Sequence, residues 1–212
     1  MTDIRDRKTF ITLAYGGLLI LCLLLGTKVI DLGPVAADGS QLPYALLLAL
    51  VAIVTEVEGS KSAQRLIYAG LVFQAIAFAL IAITLALPFS DQADPERSNA
   101  FTLLVGQNTR MILAGITSYL IVTTIIRKVQ FSLAQKSSLT IGKRSLIANV
   151  TGQAFDTVIY LTIAFYAIHP LPTLMTGQFL VKTTIAILIV PFLVRFGTTW
   201  FAGNGEFPQQ RN

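Results

Sequence analysis

Apolar residues in this chain fall into six long runs, and polar and charged residues collect between them. A helix that crosses a membrane needs roughly 20 mostly apolar residues. The runs predict crossings at residues 10–27, 42–55, 66–87, 111–126, 145–168 and 171–194. The second run is short, so a tilted or early-ending helix is expected there. Residues 56–65 form a tight connection: Gly59 suits the end of one helix, and Ser60 or Ser62 suits the start of the next. Residues 88–99 are polar and read as a loop. Residues 100–105 are apolar but too short to span, which fits a short helix at the membrane surface or a buried loop segment. The expected fold class is all-α: a polytopic integral membrane protein with a bundle of about six transmembrane helices. Residues 1–202 form one transmembrane domain, and residues 203–212 read as a disordered cytoplasmic tail.

Composition agrees with this reading. Hydrophobic residues make up 54% and charged residues 13%, with mean hydropathy +0.69. Soluble domains carry roughly 25% charged residues. The net charge of +5 invites a nucleic-acid reading, but the charges lie at the ends of apolar runs and form no continuous basic face. Twelve of the sixteen Lys and Arg residues fall on one side of a six-crossing chain: Arg5, Arg7, Lys8, Lys61, Arg65, Arg127, Lys128, Lys136, Lys143, Arg144, Arg195 and Arg211. Lys28, Arg97 and Arg110 fall on the other side. The positive-inside rule places the twelve, and both termini, in the cytoplasm. The alternation works only with six crossings.

The chain's chemical repertoire is narrow. One cysteine, Cys22, allows no internal disulfide, and one histidine supports neither a structural zinc site nor a His-based triad. No GxxxxGK[ST] motif is present, so this chain alone does not hydrolyse ATP. No cofactor or metal is expected.

The polar residues inside the apolar runs carry the functional signal. Asp156 lies about midway along the fifth run, near the bilayer midplane. An Asp there costs roughly 2.5–3.5 kcal/mol, so something must offset it. At 100° per residue, Asn149, Gln153, Asp156 and Tyr160 share one face, flanked by Gly152, which would let a ligand or a backbone approach. That stripe suits a substrate or ion pathway; a hydrogen-bonded seam between helices is the plainer alternative. Lys182 sits at similar depth in the sixth run, with Gln178 one turn earlier on its face. Asp156 is its simplest partner, as a structural pair or as one that changes with substrate. Arg110 opens the fourth helix on the outer side, where it lines an entrance or snorkels to head groups. Glu56 ends the second helix at the inner side, where a solvated end charge is the ordinary reading. Tyr160 belongs in a pocket; Phe155 points elsewhere and packs.

At these residues the chain resembles the queuosine precursor transporter family, also called vitamin uptake transporter-like. RSLIANVTGQAFDTVIYLTIAF matches that family's fifth-helix pattern at Arg144, Gln153, Asp156, Thr157, Ala164 and Phe165. AFTLLVGQNTRMILAGITSYL is similar to its outer-loop and fourth-helix pattern, with Arg110, Ala114 and Tyr119 in place. TEVEGSKSAQR resembles its inner turn, with Glu56, Gly59, Ala63 and Arg65. Lys28 and Lys182 fall where the family also has lysines. The chain departs from the pattern at Ala52, where the family usually has an acidic residue.

The resemblance implies a transporter, not an enzyme, that imports a deazaguanine base such as 7-cyano-7-deazaguanine across the cell (inner) membrane. The partners expected are this small planar nucleobase-like substrate and the lipid bilayer, with no nucleic acid. The substrate-binding set it points to is Asn149, Gln153, Asp156, Tyr160, Lys182, Arg110 and Glu56. Carboxylate and amide groups suit the donor and acceptor edge of such a base, and Tyr160 suits its ring. Two other readings stay open: the substrate-binding subunit of an energy-coupling-factor-type vitamin importer, which needs an ATPase partner, and a non-transporting membrane scaffold subunit. Self-association also stays open.

Overall fold

The structure is a computed structural model and describes residues 4–26, 28–31, 36–90, 92–106, 109–166 and 171–202. The described chain is helical apart from one short hairpin. The elements in order are α1 (Ile4–Leu25), β1 (Val29–Asp31), β2 (Ala36–Asp38), α2 (Gln41–Glu58), α3 (Ser60–Ala86), α4 (Pro95–Val105), α5 (Thr109–Lys136), α6 (Ile141–Phe165) and α7 (Leu171–Ala202). Among the described residues there are seven helices, and six of them, all but α4, are long and apolar enough to cross a membrane. The protein is a multi-pass membrane protein of the all-α class. The hairpin pairs Val29 with Asp38 and Asp31 with Ala36 in antiparallel register.

Helix α2 lies at the centre, packed against α1, α3, α5, α6 and α7. Its sequence is apolar on all sides, as a helix with no water-facing side must be. Thirteen of its 18 residues are buried, from Gln41 to Val57. Its short apolar run therefore reflects enclosure by protein, and the helix continues past the predicted end at residue 55 to Glu58. Helix α3 is the opposite case. Only Ala63, Leu66, Ile67 and Gly70 of its 27 residues are buried. Tyr68, Val72, Ile76, Leu80 and Ile83 are exposed, on the face that lipid would cover.

Several predicted boundaries are corrected. Lys61 and Arg65 were expected in a connection but lie in α3, because the turn between α2 and α3 is a single residue. Gly59 makes that turn at φ 85°, a left-handed conformation that glycine adopts without steric cost. Neither Ser60 nor Ser62 caps α3; Ser60 Oγ instead accepts from Arg127 at 2.5 Å. Helix α5 runs ten residues beyond its predicted end at 126, because Arg127 and Gln130 are buried against other helices, so the helix continues as a packed polar stem. Helix α7 likewise runs past residue 194 and contains Pro191. The start of α6 lies against that proline: a Cβ at Gly142 would stand 3.5 Å from Pro191 Cβ.

The polar stretch 88–99 is not all loop. Asp94 Oδ1 accepts from Glu96 N at 3.1 Å and Pro95 opens α4, a favoured helix start. Residues 100–105 continue this helix, and none of its residues is buried. The predicted end of the fifth crossing, at 168, and the tail 203–212 lie outside the described residues.

Tyrosines fix the outer helices to the core. Tyr119 donates to the Ile67 carbonyl at 2.9 Å, and its hydroxyl meets that of Tyr15 at 2.8 Å. One buried pair thus links α1, α3 and α5. A side chain at Gly70 would collide with Tyr119 Oη, so this glycine permits the junction. At the other end Arg7 donates to the Trp200 carbonyl at 2.7 Å and lies 5.8 Å over its ring. That contact joins α1 to the last turn of α7, where carbonyls lack helical partners.

Candidate functional site

Among the described residues, buried polar side chains form two hydrogen-bonded clusters that each hold an ion pair. The first centres on Asp156, midway along α6 and 5% exposed. Lys182 of α7 donates to Asp156 Oδ2, and the two side chains are 6% and 7% exposed. Ser118 of α5 donates to Oδ1, and Tyr44 of α2 donates to the same oxygen at 3.1 Å. Lys182 Nζ also lies 5.7 Å over the Tyr44 ring. Four helices converge on one carboxylate, and the predicted Asp156–Lys182 pair is present. This arrangement offsets the cost of charge at membrane depth: the pair cancels net charge, and three donors occupy the carboxylate oxygens.

The predicted stripe on α6 is also present. Asn149 and Gln153 are fully buried, with Asp156 on the same face. Asn149 Nδ2 donates to its own helix at Ser145 O, 2.9 Å away. Asn149 Oδ1, Gln153 Oε1 and Gln178 Oε1 are buried and have no hydrogen-bond partner among the described residues. A buried polar atom left unmatched costs about 1–3 kcal/mol. Gln153 and Gln178 lie about one turn from Asp156 and Lys182, and Asn149 about two turns from Asp156, so these acceptors could serve a ligand with N–H donors along this face. Tyr160, one turn beyond Asp156, is half-buried. Phe155 is 48% exposed and faces away from the cluster.

The sequence expectation that Asp156 itself offers free acceptors to a base is not how the carboxylate stands here. Its oxygens are taken by Tyr44, Ser118 and Lys182, and the free acceptors are the amide oxygens. A ligand that reaches Asp156 meets a carboxylate that already accepts from three donors, and must share it with them or displace one. Gly152 also acts differently from one of its expected uses. A Cβ there would stand 2.5 Å from Ile126 Cγ1 and 3.3 Å from Val122 Cγ1, so it admits the side chains of α5.

The second cluster lies at the basic end. Arg144 donates to Glu56 Oε2 at 2.6 Å. Gln130 Nε2 donates to Glu56 Oε1 and lies 2.9 Å from Ser145 Oγ. Glu56 is therefore paired and buried, not a solvated end charge. The structure does not bring it to Asp156: Arg144 and Asp156 are twelve residues apart on α6, about 18 Å at 1.5 Å per residue. Arg110 falls in the first turn of α5, and its side chain lies outside those described.

Sequence reasoning missed Tyr44, Ser118, Gln130 and Ser145. Serine and tyrosine in apolar runs are common and carry no partner label. Gln130 was hidden by its position in an expected connection. An open apolar groove of about 510 Å³ lies between α1, α2 and α7, lined by Phe10, Leu18, Leu50, Ile53 and Trp200 among others. None of the polar residues above lines it.

Among known proteins, the family described as putative vitamin uptake transporter matches residues 38–196. The match runs from the end of β2 into α7 and includes both buried ion pairs. No curated protein and no solved structure matches the chain. With three quarters of its length matched, the chain belongs to the putative vitamin uptake transporter family.

Proposed function

We propose that this protein imports a queuosine precursor, a 7-deazaguanine base such as 7-cyano-7-deazaguanine, across the cell inner membrane, with both termini in the cytoplasm. The observation that carries the reading is the buried Asp156–Lys182 pair with the unmatched carbonyl oxygens of Gln153 and Gln178 about one turn from its members, and that of Asn149 further along the same face of α6. A deazaguanine offers ring and exocyclic N–H donors to such acceptors. Its planar ring suits the phenol of Tyr160. Its own carbonyl is an acceptor for Lys182 once that ammonium turns from Asp156. The midplane depth expected for Asp156 and Lys182 supports the reading, because many transporters hold their cargo at that depth. The twelve Lys and Arg residues that a six-crossing chain puts on one side support this orientation.

The test uses bacteria that neither make nor import queuosine precursors. They receive this chain and a low concentration of 7-cyano-7-deazaguanine, and queuosine in their tRNA is measured. The reading expects recovery with the unaltered chain and none with Asp156→Asn present in the membrane at equal level. No recovery with the unaltered chain, shown to be in the membrane, would contradict the deazaguanine cargo. A panel of vitamins and other nucleobases would then identify the class carried.

A further inference from the structure

One face of α6 and one face of α5 connect the two polar clusters. On α6 it runs from Arg144 and Ser145 through Asn149, Gly152 and Gln153 to Asp156. On α5 it runs from Gln130 through Ile126 and Val122 to Ser118. Each end of this seam is polar: Ser118 meets Asp156, and Gln130 meets Ser145 and Glu56. The middle is an apolar contact, where Ile126 and Val122 fill the notch left by Gly152.

Two fully buried carbonyl oxygens, Asn149 Oδ1 and Gln130 Oε1, lie along this line without a hydrogen-bond partner among the described residues. A seam serving packing alone gains nothing from unmatched acceptors. A seam that parts to pass a polar solute gives them partners. At the basic end, α2, α5 and α6 are all held through Glu56, and Arg127 ties α5 to the first residue of α3 at Ser60 Oγ. Glu56 lies three residues before Gly59, whose left-handed backbone is the joint between α2 and α3.

Building on the proposed passage of a polar solute past Asp156, we propose that Glu56, Arg144, Gln130 and Ser145 close the path at the basic end. Glu56 is thus a positioning residue that holds the closure and does not bind cargo. The closure opens when Glu56 leaves Arg144 and Gln130, while the Asp156 cluster stays formed. Arg144 is suited to this exchange. Its side chain is 14% exposed, so its guanidinium can turn to water or head groups at that end.

The experiment reads access to a position between the two clusters. Cys22, the chain's one cysteine, is replaced by serine, and Asn149→Cys is introduced. A membrane-impermeant maleimide is then applied to vesicles of each orientation. With the closure intact, the thiol is expected to react slowly from either side. Glu56→Gln is expected to speed alkylation from the basic side at least tenfold. Gln130→Ala keeps the ion pair and is expected to speed it about threefold, so it decides the case if Glu56→Gln fails to accumulate. Unchanged rates in folded variants would overturn the proposal. So would fast alkylation from the basic side with the closure unaltered. The readout needs no substrate, so it stands or falls separately from the deazaguanine assignment.

Discussion

The two buried ion pairs look alike in composition but differ in construction. Asp156 and Lys182 are both nearly inaccessible, and donors from three other helices fill the carboxylate. Glu56 and Arg144 sit at the end of the bundle, and the arginine is partly exposed. A charge at midplane depth has nowhere to go if its partner leaves, whereas Arg144 can reach head groups or water. The deep pair is therefore suited to opening when a ligand takes over its contacts, and the end pair to opening as the 14% exposed Arg144 turns outward. This difference suits the deep pair to holding cargo and the end pair to closing the path.

The comparison breaks most sharply at the deep pair. Asp156→Asn or Lys182→Met leaves an unpaired group at depth and is expected to cost about 3–5 kcal/mol. The double variant, with neither charge, should recover most of that stability in a thermal melt while uptake stays abolished. If the double variant also restored uptake, the pair would be structural only. Next comes the end pair. Glu56→Gln is expected to cost less, about 1–3 kcal/mol, because the amide still accepts from Gln130. It should slow uptake while leaving substrate binding to purified protein intact.

Effects of similar size or smaller sharpen the contrast. Ser118→Ala removes one donor to Asp156, with an expected loss of about 1.5–3 kcal/mol. Gly152→Ala drives a Cβ against Ile126 and should cost about 1–3 kcal/mol, read in the same melts. On the exposed face of α6, Phe155→Leu touches neither cluster, and its effect on stability and uptake is expected within about 0.5 kcal/mol.

What the sequence revealed follows from which forces act locally. Six crossings were legible because apolar run length is a direct consequence of bilayer thickness. Asp156 and Lys182 were legible as a pair because each is costly alone at the same depth. The Asn149–Gln153–Asp156 face followed from helical spacing. Tyr44 and Ser118 were not legible as partners of Asp156, since contact between helices depends on a register that one strand of sequence does not state. The ends of α5 and α7 were cut short because hydropathy falls where Arg127 and Arg195 begin, although the helices continue. Helix α4 carried a readable start signal in Asp94 and Pro95, but its polarity argued for a loop. The hairpin at residues 29–31 and 36–38 has too few residues to display an alternating pattern.

The most direct test of the central claim, that cargo is held at the Asp156–Lys182 cluster, is equilibrium binding of radiolabelled 7-cyano-7-deazaguanine to purified protein. It compares the unaltered chain, Glu56→Gln and the charge-free double variant Asp156→Asn with Lys182→Met. The account predicts saturable binding by the first two and none by the folded double variant. Saturable binding by the double variant with unchanged affinity would contradict it.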